Sequence, residues 1–104
     1  MNRKNAILNL INPKLLQTLK KDDIAMYEIS YQLDRILENY NNICYINGNN
    51  ITFLSNGNLI DCSAEDIKSS SNEVKGTTLI FKPKSKVSFF DPLFANSYRL
   101  SFSI

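Results

Sequence analysis

The chain is predicted to fold as an α+β domain, with N-terminal helices packed on a largely antiparallel sheet of about five or six strands. Three observations carry this. The apolar residues recur at helical spacing as far as residue 40 and alternate with polar ones beyond it. Two Asn-Gly pairs, Asn47-Gly48 and Asn56-Gly57, divide the alternating part into short runs. Finally, 104 residues that are 43% hydrophobic and 21% charged suit one core and leave no room for a second. A single domain over 1–104 follows, with 1–12 as a candidate docking arm.

In chain order, Ile7, Leu8, Leu10 and Ile11 have the spacing of a short helix, which Asn12-Pro13 interrupts. Proline serves well as a first helical residue with an asparagine cap before it, so a second helix is expected over 13–20, turning Leu15, Leu16 and Leu19 inward. A long amphipathic helix is expected over 23–40, capped by Asp22 or Asp23. Its buried stripe is Ala25, Ile29, Leu33, Ile36 and Tyr40.

Three strands then form a meander. Centring the second hairpin on Asn56-Gly57 pairs Leu54 with Leu59, Phe53 with Ile60 and Ile51 with Cys62. One face then holds Cys44, Ile46, Ile51, Phe53, Ile60 and Cys62, opposite Ile29, Leu33 and Ile36 of the long helix. Ser63, three residues before Asp66, suggests a helical turn over 64–68, followed by an exposed polar loop over 69–76. Strands are expected at 77–82 and 87–90. The alternation of Tyr98, Leu100, Phe102 and Ile104 with polar residues marks a last, half-buried strand.

The residues present exclude much chemistry. The sequence contains no histidine, which removes the commonest catalytic base and metal ligand. Cys44 and Cys62 lack the close spacing of a zinc site. In the expected meander they lie on the outer strands about 9 to 10 Å apart, too far for a disulfide, and are expected as free, buried thiols. Asp61, Glu65 and Asp66 are accounted for by solvation and helix capping. No phosphate-binding glycine loop is present, with three glycines in all. No catalytic residue, cofactor or metal is therefore expected.

A formal net charge of +2 favours neither nucleic acid nor an anionic membrane. The abundance of Asn, Ile and Lys reads as the codon bias of an AT-rich genome. No apolar run approaches the roughly 18–20 residues that span a bilayer, and no export signal is recognisable, so the cytoplasm or an organelle interior is expected for the chain as written.

By elimination, the expected function is a non-enzymatic protein-protein interaction module, a small subunit or accessory factor whose partner is another protein. Self-association is also open. Candidate contact residues are Ile7 and Ile11, apolar side chains in the arm before Pro13, and Tyr27 and Tyr31, one helical turn apart beside the long helix's stripe. Tyrosines at that spacing either widen the buried face or form an exposed patch. Lys82, Lys84 and Lys86, with Phe81, Phe89 and Phe90 on either side, form a candidate anion or nucleic-acid contact. The same pattern describes a solvated hairpin loop whose lysines guard a sheet edge. The order of a long helix before an antiparallel sheet, over 13–104, resembles the soluble part of pilin-like and pseudopilin subunits. That resemblance implies assembly through the long helix and a periplasmic or surface location for a trimmed exported chain. The family's hydrophobic N-terminal segment and processing site have no counterpart in this sequence.

Overall fold

A computed structural model describes residues 2–40, 42–84 and 97–104. Among them, α1 (Arg3–Leu8), α2 (Pro13–Lys20) and α3 (Asp23–Leu37) precede β1 (Asn42–Asn47), β2 (Asn50–Ser55), β3 (Asn58–Lys68), β4 (Val74–Pro83) and β5 (Tyr98–Ser103). The strands form one antiparallel sheet in the order β1-β2-β3-β4-β5. The α+β class with N-terminal helices is thus the observed one.

Each helix starts on a side-chain cap. Asn2 accepts from the backbone of Lys4 and Asn5, Asn12 from Lys14 with Pro13 following it, and Asp22 from Ile24 and Ala25 at 3.1 Å each. These bonds satisfy amides that a helix start leaves without an internal partner. The buried side of α3 is Ile29, Leu33 and Leu37, and the helix ends there, before Tyr40. Arg3 explains part of this ending. Its guanidinium donates to the carbonyl of Leu37 at 3.0 Å and to that of Tyr40, placing a cation where the helix presents its negative end.

The second hairpin has the expected register, Ile51 with Cys62, Phe53 with Ile60 and Leu54 with Leu59. Asn56 and Gly57 both take positive φ, 49° and 82°, as a two-residue turn matched to strand twist requires. In the first hairpin Asn47 pairs with Asn50, so the loop is Gly48-Asn49 and Ile46 lies opposite Ile51.

The structure corrects the sequence reading at several places. A β-bulge falls between Ile43 and Tyr45, so Ile43 pairs with Phe53 and takes the core-facing place expected for Cys44, which is exposed. Residues 64–68 continue β3 instead of forming a helical turn, because long-range pairing of Ala64 with Leu79 and Glu65 with Thr78 outweighs the local capping signal. The loop expected over 69–76 shortens to 69–73, closed by Ser69 donating to the Glu73 carbonyl at 2.8 Å. The strand expected over 87–90 lies outside the described residues.

Ile7 and Ile11 are not on a free arm. They are 0% and 2% exposed and join Leu15, Leu19, Ile29, Leu33, Ile51, Phe53, Cys62, Leu79 and Phe81 in one core between helices and sheet. A stretch with this many apolar residues finds burial worth about 1.5–3 kcal/mol per side chain inside the fold, so it packs there. Among the described residues, no helix is long and apolar enough to cross a membrane.

Candidate functional site

The side chains that α3 turns away from the core define the site. Tyr27 and Tyr31, one turn apart, are 72% and 53% exposed. Helical spacing puts them beside the buried Ile29–Leu33–Leu37 stripe but not on it, so the structure selects the exposed patch over the widened core. Glu28, Gln32 and Arg35 share this flank, and the Arg35 guanidinium lies 5.9 Å from the centre of the Tyr31 ring.

Across from the helix stands Tyr98, the first residue of β5, itself 50% exposed. Between α3 and Tyr98 runs an open cleft of about 720 Å³. Two of its lining residues, Tyr40 and Tyr98, belong to a ladder of rings that continues into the core. Tyr98 tilts against Phe81 at 6.4 Å, while Tyr40 stacks on Phe81 at 5.6 Å and on Phe53 at 5.7 Å. Phe53 and Phe81 are core residues, so the aromatic surface of the cleft is anchored in the rigid interior. Tyr40 itself is half-buried. Burial, and then the neighbouring Cys62 and Tyr98, raise its phenol above the ordinary value of 10.0. Tyr40 therefore stays protonated at neutral pH and offers the cleft a neutral hydroxyl.

Sequence reasoning named Tyr27 and Tyr31 but placed Tyr40 on the long helix's buried stripe and Tyr98 on the apolar face of a half-buried strand. The alternation that marks β5 says which face Tyr98 belongs to; it does not say that the sheet's inner face runs out from under the helices at that end. Arg35, one turn beyond Tyr31, was legible as a cation-ring spacing and was missed.

The lysines lie elsewhere. Tyr45, Thr52, Asp61 and Lys82 form one row across the sheet face opposite the helices. Lys82 is exposed there, and the Lys84 ammonium sits 4.3 Å from the centre of the Tyr45 ring. Asp61 accepts from the Thr52 hydroxyl at 2.7 Å, which puts a carboxylate beside the lysines. Lys86, Phe89 and Phe90 lie outside the described residues.

Both cysteines are free, Cys44 at the surface and Cys62 in the core. Burial pushes the Cys62 thiol up to about 12, so it stays protonated at neutral pH. Among the described residues, no three His, Cys, Asp or Glu side chains gather as metal ligands. No family model, curated protein or solved structure matches this chain.

Proposed function

We propose that the protein is a non-enzymatic interaction module that docks a partner protein in the cleft between α3 and Tyr98. The observation that carries this is the concentration of exposed tyrosine, at Tyr27, Tyr31 and Tyr98, around one open cleft. Tyrosine joins a large apolar ring to a hydroxyl and loses little conformational freedom on binding, which is why it is enriched at protein interfaces. Arg35 and Glu28 in the lining supply charges of both signs to fix orientation, while Tyr40, stacked on the core rings Phe53 and Phe81, gives the cleft a rigidly backed aromatic side chain.

Site-specific photocrosslinking from position 27 in the cells that make the protein tests the reading. The expected result is one dominant protein adduct, lost in Tyr31→Ser and Tyr98→Ser variants whose circular dichroism and melting are unchanged. Crosslinks scattered over many abundant proteins, or indifferent to both substitutions, reject it.

The ring-and-cation contact of Tyr45 with Lys84, with Lys82 in the same cross-strand row as Tyr45, supports a second reading as a weak single-stranded nucleic-acid binder. It requires binding that weakens steeply with salt and is lost in Lys82→Gln/Lys84→Gln, measured by fluorescence anisotropy of a labelled oligonucleotide.

A further inference from the structure

We propose that a second copy of this chain pairs with it along β1, edge to edge, so that the two sheets become one across a two-fold axis. This goes beyond the cleft reading and does not depend on it. Among the described residues, β1 is a terminal strand of the sheet. Edge strands are ordinarily guarded against pairing by charge, proline or a covering element. The opposite edge, β5, carries Arg99, whose guanidinium lies 3.9 Å from Glu65. β1 reads Asn42-Ile43-Cys44-Tyr45-Ile46-Asn47, without a charge or a proline and rich in strand-forming residues.

This strand is also nearly the same read backwards, Asn-Ile at one end and Ile-Asn at the other. In a regular strand the symmetry would be useless, because Ile43 and Ile46 would point to opposite faces, and a two-fold antiparallel pair needs matched residues on the same face. The bulge at Cys44 removes the mismatch. Ile43 pairs with Phe53 and Ile46 with Ile51, and those two, alternate residues of β2, are both fully buried on the helix-bearing face. Ile43 and Ile46 therefore share that face. A second β1 running antiparallel sets Ile43 against Ile46 of the second copy, Ile46 against its Ile43, and each Asn42 against an Asn47. The bulge, commonly an edge guard, here brings the palindrome into register.

The side chains are available for this. Ile46 is 48% exposed and Ile43 half-buried, and both line a cleft of about 930 Å³ with Lys4, Asp34, Leu37 and Glu38. Its charges are of both signs, so two copies meet without a uniform repulsive field.

Sedimentation velocity of the full chain over a wide micromolar range is the test. Wild type is expected to shift from monomer to dimer with concentration, and Ile46→Lys to remain monomeric with an unchanged melting curve. Tyr31→Ser, which damages only the cleft, is expected to dimerise as wild type does. A short bismaleimide is expected to join Cys44 to Cys44 in wild type and not in Ile46→Lys, since the two exposed thiols lie near the axis while Cys62 is buried. A wild type that stays monomeric throughout, or an Ile46→Lys dimer as tight as wild type, overturns the proposal. Should Ile46→Lys fold poorly, amide exchange of the wild type decides. Protection in β1 that rises with protein concentration supports the pairing, and protection independent of concentration overturns it.

Discussion

Cys62 sits fully buried between Ile51 and Phe81, and its thiol is pushed from an ordinary 9.0 to about 12 by loss of water alone. The consequence for stability has a definite sign. Between those values the unfolded chain releases a proton that the folded chain keeps, so the contribution is complete below about pH 9 and is lost as pH rises toward 12. Tyr40 acts in the same direction above about pH 10, its phenol also being raised by burial. Urea melts at pH 8, 9.5 and 10.5 are expected to show falling stability, with a shallower fall in Cys62→Ala, where only Tyr40 of the pair remains. Arg3 is the other residue with leverage. Its donation to the Leu37 and Tyr40 carbonyls ties α1 to the end of α3, and Arg3→Met is expected to cost about 1.5–3 kcal/mol in the same assay, the range for charge-assisted hydrogen bonds that leave a partner unsatisfied.

Elements were legible wherever local chemistry and long-range pairing agree. Asn12-Pro13 and Asp22 start α2 and α3 through caps that need no tertiary context, and Asn56-Gly57 sets the β2–β3 register because its two positive φ values admit few other residue pairs. Legibility failed where a distant strand decided the outcome. Residues 64–68 carry a capping signal but are held in β3 by β4, and Cys44 leaves the core face because a bulge, which has no sequence signature here, inserts one residue. Gly76 is a further case that only the pairing reveals. It lies opposite Ser103, and a Cβ there would come 2.2 Å from the Phe102 carbonyl oxygen. Backbone cannot yield as a flexible side chain does, so Gly76→Ala is expected to separate β5 from β4. The loss is about 1–3 kcal/mol in a thermal melt, with faster amide exchange confined to Tyr98–Ser103.

At the scale of the whole molecule, the question that sequence alone left open was whether the first dozen residues belong to the domain or reach out from it. Ile7 and Ile11 have the same apolar character in either case, and periodicity does not say where a stripe finds its partner. The tyrosines posed the mirror-image question, and there the exposed alternative prevailed because the core is already filled by the α1 and α2 residues that the docking-arm reading had left outside. The two outcomes are linked: with Ile7, Leu8, Ile11, Leu15 and Leu19 inside, Tyr27 and Tyr31 are left on the surface. Ile7→Ala separates the possibilities. If the N-terminal helix is part of the cooperative unit, removing a side chain with 0% exposure costs about 2–5 kcal/mol through lost burial and the cavity left behind. That is a large share of the roughly 5–15 kcal/mol that holds a domain of this size together, and it lowers the melting temperature by roughly 10 °C or more. An arm that only docks would leave the melting temperature unchanged and weaken partner capture instead. The expected outcome is a single transition moved as a whole, with helical and aromatic circular dichroism melting together. A low-temperature step limited to the helical signal, with the sheet melting as in wild type, would show that α1 packs on the sheet without sharing its cooperativity.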